Sequence, residues 1–541
     1  MAGFPEEAHS NLLTICWEPG DIGRSVMRVS IKTFAAIDVG SYELCMKVFE
    51  LSGKNKMKEI DCVKRSLDLG SGTYGTGRIS NDKVDELCRT LKEFSGIMET
   101  YRVDAYKAYA TSAFREAENS LIALDQIKQR TGISIGILSN SEQRFLTYKS
   151  IASKREEFRQ VIEGHTAIAD IGGGSIQLSL FEKDTLISTQ NMRIGVLRIL
   201  ELMQHVDFKR DQVESLIEEL VSAQLATYKK LYLKDQKIDN IIVADDYLSP
   251  WMVKNMHSGS LQPITVLGEA EHLMETIRSR TTSYIAKELE ITEEKVPLMV
   301  ISTVLIRCIT NFTGAEFIWV PGMTLSDGIA YEYAEQINMF KGDHDFERDI
   351  IACAVNISKR YMGSKKRSET LEKITTTIFD SMSRVHGLGK RERLYLQLAA
   401  ILHDCGKYIS LVNIGETSYN IIMASEIIGL SHMERSIVAN IVRYNHSKFD
   451  YFDQESSADL NRDVYLVVAK LTAIIRLANS LDRSHKQKLK GMKAKLSENK
   501  LILRAETSED ITLEKGFFDT AVDFFEEVFS VTPVLKQHKE F

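Results

Sequence analysis

The sequence is poor in the features that mark several common classes of protein. Seven prolines in 541 residues leave little room for long linkers or disordered stretches. The seven cysteines (Cys16, Cys45, Cys62, Cys88, Cys308, Cys353 and Cys405) are odd in number and scattered, with no CxxC pair. That argues against a disulfide framework and fits a reduced, cytoplasmic chain with mostly buried thiols. The net charge of −7 excludes a globally basic nucleic-acid binder, though a local basic groove for an anion remains open. No apolar run approaches the roughly 18 residues a membrane span needs, and the first residues show no signal peptide. Ordinary proportions of hydrophobic (44%) and charged (26%) residues then point to two to four globular domains.

The first half contains a repeat. Residues 34–50 read FAAIDVGSYELCMKVFE, and residues 166–182 read TAIADIGGGSIQLSLFE. With Asp38 set on Asp170, Gly40 falls on Gly172, Leu44 on Ile176, Met46 on Leu178, Val48 on Leu180 and Glu50 on Glu182. Each copy reads as a β-hairpin, a buried strand entering a glycine turn and a second strand returning. Glycine lets the backbone approach a ligand and aim N–H groups at it, and an aspartate at the strand end can hold a cation or water beside a phosphate. Two such hairpins face to face would grip a phosphate chain from both sides.

Strands and helices alternate through residues 32–335. NDKVDELCRTLKEFSGIMETY predicts an amphipathic helix capped by Ser80, with Val84, Leu87, Leu91, Phe94 and Met98 on one face. KAYATSAFREAEN predicts a strand running into a helix, with Thr111, Ser112 and Glu116 near the strand end where α/β folds bind ligands. LSNSEQRFLTYKS predicts another such end, carrying Glu142.

IDVGS at 37–41, ATSAFREAEN at 110–119 and DIGGGS at 170–175, in that order, resemble the exopolyphosphatase/guanosine pentaphosphate phosphatase (Ppx/GppA) family. The resemblance implies an α/β fold of two actin-like (ribonuclease H-like) domains, an all-α HD-like domain and a small α/β tail. The expected boundaries are 32–131, 132–335, 345–498 and 499–541, after an N-terminal extension over 1–31 without a family counterpart, in which Met27 is an alternative start. ILHDCGKYIS, GLSHMERSIVANIVRY and LANSLDRSH match the helical extension. The family cleaves terminal phosphates from inorganic polyphosphate or from guanosine pentaphosphate. Carried onto this chain, Glu116 becomes the base that orients and deprotonates water. Gly40, Ser41, Gly172, Gly173, Gly174 and Ser175 cradle phosphates. Asp38 and Asp170 organise Mg²⁺, and Glu142 is a candidate metal or supporting acid. Arg115 either offsets phosphate charge or pairs on the surface. Without the family, the chemistry still fits, because phosphoryl transfer needs positioning and charge neutralisation more than a covalent nucleophile.

The sequence departs from the family pattern at Tyr42, Asn140, Gln143, Gln177, Ala244–Tyr247 and Ser326–Gly328. The loop over 244–247, glycine-rich in actin-like ATPases and sugar kinases, has no glycine here, which disfavours adenosine binding. Of the metal set of HD domains only His403 and Asp404 remain, so a structural His–Asp hydrogen bond is expected there, with Gly406 ending the helix before it. A basic run (Arg483, His485, Lys486, Lys488, Lys490, Lys493, Lys495), with Lys365, Lys366 and Arg367, is either a solvated face or a track for the distal part of polyphosphate. No aromatic interleaving supports a specific nucleic-acid partner. A strand pair over 500–515 and a helix carrying Phe518, Val522, Phe525 and Val528 are expected at the end. Exopolyphosphatase is the leading expectation. Pentaphosphate 5′-phosphatase and a degenerate sensor that binds polyphosphate or alarmone are its rivals, and the family implies a homodimer.

Overall fold

The computed structural model describes residues 31–53, 55–204, 212–234, 236–255, 280–452 and 461–538. The expected N-terminal extension and the alternative start at Met27 lie outside the described residues.

Two five-stranded sheets form the first half. In the first, β1 (Ile31–Val39), β2 (Glu43–Ser52), β3 (Lys56–Ser66), β4 (Ala105–Ala110) and β5 (Gly136–Ile137) take the order β3-β2-β1-β4-β5. In the second, β6 (Thr166–Ile171), β7 (Ile176–Glu182), β8 (Thr185–Met192), β9 (Asn240–Asp245) and β10 (Phe317–Trp319) take the equivalent order, β8-β7-β6-β9-β10. In both, the first three strands are antiparallel and the last two run parallel to the leading strand. The repeat therefore extends to the register: Asp38 faces Cys45, and Asp170 faces Gln177. This duplicated mixed sheet is the actin-like fold. The leading strands are nearly continuous apolar runs because both of their faces are covered.

Helices lie where the periodicity puts them. Asn81–Thr100 starts on Ser80, whose hydroxyl accepts from the Lys83 N–H, and buries Val84, Leu87, Leu91, Phe94 and Met98. Two segments cross the expected boundaries. β5 completes the first sheet, so that domain reaches past residue 131. The helix Leu325–Gln336 returns from the second domain to pack on β1 and β2. Asp327 at its start takes Lys47 of β2 at 3.1 and 2.9 Å, and a Cβ on Gly328 would fall 2.1 Å from Leu146 O, so only glycine allows this helix so close to Asn140–Ala152.

One stretch corrects the expectation that no apolar run approaches a membrane span: Glu293–Thr313, which contains the helix Val296–Thr313, is long and apolar enough by length and composition. It is a core helix of the second domain: 72% of its most apolar window is buried, and its Arg307 pairs with Glu214 and Glu218.

A helical half follows, from Phe346–Arg360 to Arg462–Ser480, and shares a core with the helix Asn140–Ala152. Tyr148 donates to Asp349 across that boundary at 2.5 Å. The closing sheet is β11 (Lys490–Ser497), β12 (Lys500–Glu506) and β13 (Thr532–His538) in that order. It corrects the expected tail twice. The sheet begins before residue 499, and Thr512 opens the helix Thr512–Phe529 instead of lying in a second strand. Phe518 and Phe525 of that helix are buried as expected. Cys45, Cys62, Cys88, Cys308, Cys353 and Cys405 are all free thiols.

Candidate active site

The two glycine turns meet at the seam between the first two domains. Ser41 follows the first turn. Its hydroxyl lies 2.7 Å from that of Ser112 and accepts from Tyr74 O–H at 3.0 Å and from Ala113 N–H at 3.2 Å. Gly174 of the second turn abuts the same group, since a Cβ there would sit 2.9 Å from the Tyr74 oxygen and 3.2 Å from Ser112. Gly195 packs flush under the second turn, and a Cβ on it would be 2.3 Å from Gly173 O. That contact fixes the helix Val196–Gln204, whose Val196 and Leu197 N–H groups bond Gly172 O and Gly173 O at 3.0 and 2.9 Å. Ser41, Gly172, Gly173, Gly174 and Ser175 are thus brought together as the repeat predicts. Gly40 closes the first turn by donating to Glu43 O at 3.1 Å.

Glu116 ends the short helix Ser112–Glu116. Both its oxygens accept from Arg198 Nη2, at 2.9 and 2.7 Å, and Arg198 Nε also donates to Gly174 O at 3.2 Å. The Arg198 guanidinium lies 5.0 Å from the Tyr74 ring centre. One arginine of the second domain therefore links the expected base, the second glycine turn and the hydroxyl cluster. Arg198 is not among the residues the sequence singles out, because a single arginine in an amphipathic helix carries no local signature.

The acids divide into two environments. Asp170 is buried, and Arg144 holds one of its oxygens and donates to Ser175 O and Oγ at 3.1 and 3.2 Å. Burial raises the Asp170 carboxyl despite that arginine, and its other oxygen has no hydrogen-bond partner. Arg144 is likewise not singled out by the sequence, and it occupies the side of Asp170 where a cation was expected. Asp38 keeps Oδ1 unpartnered, and burial, reinforced by Asp246, pushes its carboxyl well above the usual range. Asp246 is solvent-exposed, yet the protein packed around it, with the charges of Asp245 and then Asp170, pushes its carboxyl up to about 7. Asp245 accepts from the N–H groups of Tyr247, Leu248 and Ser249 and from Ser302 O–H, which locks the strand end. The loop over 244–247 thus folds onto its own aspartate, and Tyr247 O–H closes on Gly173.

Among the described residues, no three His, Cys, Asp or Glu side chains form a ready-made metal cage. The donors still suit a hard cation: Asp38 has an orphaned oxygen, and the charge of Asp246 is close enough to raise the Asp38 carboxyl. Mg²⁺ binds through one or two carboxylates, water and substrate phosphate rather than through a protein cage.

Two predicted residues face elsewhere. Glu142 completes a capping box, with its carboxylate on Ser139 N–H at 2.9 Å and its own N–H on Ser139 Oγ, so it caps a helix and does not join the acids of the cleft. Arg115 donates to Leu138 O at 2.6 Å and lines a cavity of about 460 Å³ with Glu142, Glu426 and Arg435. Burial and then Arg144 push its guanidinium down to about 10, the mark of a cation without a full counter-charge. In the basic run, Arg483, Lys486, Lys490, Lys493 and Lys495 are exposed, but Lys488 is tied to Glu514 at 3.1 Å and to Asp510 O, which takes it out of any track.

Comparison with known proteins gives the family. A model described as the Ppx/GppA phosphatase family matches residues 48–301, and one described as Ppx/GppA phosphatase, domain III, matches residues 351–521. The chain belongs to the Ppx/GppA phosphatase family. With that family, it is a hydrolase of phosphoanhydride bonds. The guanosine-5′-triphosphate,3′-diphosphate pyrophosphatase of Vibrio atlanticus is 22% identical over 431 residues, covering 77% of this chain and 81% of the relative. The exopolyphosphatase 1 of Mycobacterium tuberculosis is 29% identical over 143 residues, covering 26% of this chain and only 40% of the relative. Among solved structures, an exopolyphosphatase from Cytophaga hutchinsonii covers 57% of this chain and 100% of its own, at 18% identity and a TM-score of 0.49. A Ppx/GppA family member from Aquifex aeolicus covers 57% and 99%, at 19% identity and a TM-score of 0.47.

Proposed function

We propose that this Ppx/GppA phosphatase is an exopolyphosphatase that releases orthophosphate from the ends of inorganic polyphosphate, using Mg²⁺ and water activated by Glu116. The observation that carries the reading is the meeting of two glycine turns, a hydroxyl cluster and the Glu116–Arg198 pair at one seam. The turns supply N–H groups and hydroxyls for the terminal phosphates. Arg198 is the residue best placed to exchange Glu116 for an incoming phosphate oxygen, which frees the carboxylate to take a proton from water. Asp38 and Asp246 are the residues that would hold Mg²⁺, which when bound would neutralise charge on the phosphate chain. The folded loop at Asp245–Tyr247 supports a bare phosphate chain over an adenosine-bearing ligand. The helical half is read as an HD-like domain without metal, through which the chain forms a homodimer in the cytoplasm, and the exposed lysines of β11 as a track for the distal substrate.

One observation favours a second reading, pentaphosphate 5′-phosphatase: the relative matched over most of its length carries the guanosine pyrophosphatase name. The specificity ratio decides between them. Phosphate release from long-chain polyphosphate and from guanosine pentaphosphate is compared as kcat/KM under the same Mg²⁺ concentration. A ratio well above one for polyphosphate is expected. A ratio below one selects the alarmone reading, and binding of either without release selects the sensor.

A further inference from the structure

Cys45 and Cys62 meet across strands β2 and β3. Their sulfurs lie 4.0 Å apart, although the residues are 17 positions apart in the chain. In the antiparallel register Cys45 faces Lys64 and Cys62 faces Lys47, so the two thiols form a diagonal on one face of the sheet, each opposite a lysine. Cys45 is 8% exposed, whereas Cys62, on the edge strand β3, is the exposed one among the described cysteines. One sulfur is thus open to a small reagent in solvent, and a second stands behind it.

The surroundings divide the labour between the two. The hydrogen bond from Cys45 holds the Cys62 thiol below its ordinary range against the cost of desolvation, and the Lys47 ammonium adds to that. The same hydrogen bond, and then burial, push the Cys45 thiol up. Both lysines are fixed in place, Lys47 by Glu59 and Asp327 at 2.9 Å each and Lys64 by Glu43 at 2.9 Å. The pair also borders the candidate active site. Cys45 stands opposite Asp38 on β1, and Lys47, opposite Cys62, is the residue that holds the helix Leu325–Gln336 through Asp327.

We propose that Cys45 and Cys62 are a redox site, a dithiol that hydrogen peroxide closes into an intrachain disulfide, and that the bond slows phosphate release. The Cys62 thiolate attacks a peroxide oxygen, the O–O bond breaks, and a sulfenic acid and hydroxide result. The Cys45 sulfur then attacks the sulfenic sulfur, the S–O bond breaks, and the departing hydroxide takes the Cys45 proton as water. The two thiols lose two electrons, and the peroxide that accepts them ends as water. To bond, the sulfurs close from 4.0 Å to about 2.05 Å, which draws the row of Asp38, Cys45 and Lys64 toward that of Lys47 and Cys62. The effect on turnover rests on the proposed role of Asp38 at the cation, whereas the bond itself does not.

The full-length chain, reduced and desalted, is treated with hydrogen peroxide, blocked with a maleimide and mapped by non-reducing peptide mass spectrometry. A linked Cys45–Cys62 peptide is expected, reopened by dithiothreitol and absent from Cys62→Ser. In Cys45→Ser, a dimedone adduct at Cys62 should appear in its place. Phosphate release from long-chain polyphosphate at limiting Mg²⁺ should fall by about twofold or more as the bond forms and return on reduction. The same treatment should leave Cys62→Ser, changed at an exposed position, at its untreated rate. Cys62 that remains free, oxidises alone to the sulfinic acid or links two chains overturns the site. A complete disulfide with an unchanged rate overturns its effect on turnover. A reduced chain that releases no phosphate counts against the proposed function, while the peptide map still decides the dithiol.

Discussion

Arg198 Nη2 lies 2.9 and 2.7 Å from the two oxygens of Glu116, so the carboxylate of one domain is bound by the guanidinium of the other. The pair ties the expected base to the second glycine turn, and in the proposed mechanism its release is a condition of catalysis.

Arg198→Met is therefore expected to lower kcat/KM by about 10–100-fold, the worth of a hydrogen bond to a charged group at about 1.5–3 kcal/mol. Part of the fall should be a rise in KM, because the freed arginine is assigned to substrate phosphate. Steady-state phosphate release on a variant with an unchanged melting temperature checks it. An unchanged KM would leave Arg198 as a tether only.

Asp246 gives the cation dependence a pH profile. With its carboxyl raised to about 7, it is largely protonated at pH 6 and ionised by pH 8. The Mg²⁺ concentration for half-maximal rate should fall as pH rises through 7. Asp246→Asn should flatten that dependence while raising the Mg²⁺ requirement at pH 8. Mg²⁺ titrations at pH 6, 7 and 8 measure it.

Arg144→Met should destabilise the second domain by about 3–5 kcal/mol, because Asp170 would then be a buried carboxylate without its cation. Protonation of Asp170, already favoured by burial, will offset part of the loss, more so at acid pH. Chemical denaturation at pH 6 and pH 8 should show the larger difference at pH 8.

The helical half should lose stability in mild acid. Burial lowers His446 to about 4, so between its ordinary value near 6.5 and about 4 the unfolded chain binds a proton that the folded chain does not. Stability contributed by neutral His446 is full above pH 6.5 and falls as pH drops through that window. His446→Gln should flatten the fall in urea denaturation midpoints between pH 7 and pH 4.5.

The repeat at Asp38 and Asp170 was legible because its pattern is local: strand period, glycine turn and aspartate lie within 17 residues of each other, and tertiary packing only had to bring the two copies together. The same locality made the Ser80 cap and the helix Asn81–Thr100 readable. Glu142 was legible in principle, since Ser139-x-x-Glu142 is a capping-box pattern, but the strand-end reading won. Arg144 and Arg198 were not legible. Each sits in a helix whose sequence explains only its packing, and each acquires a role from a residue at least 26 positions away. Lys488 failed for the same reason, since its partner Glu514 lies in a later helix.

The central claim is that Glu116 activates water at the seam. It is tested most directly by phosphate release from long-chain polyphosphate with Mg²⁺, wild type beside Glu116→Gln, with polyphosphate binding measured on both. The account predicts that release falls by about 10²–10⁴-fold in the variant while binding persists. Release that survives the substitution would contradict it.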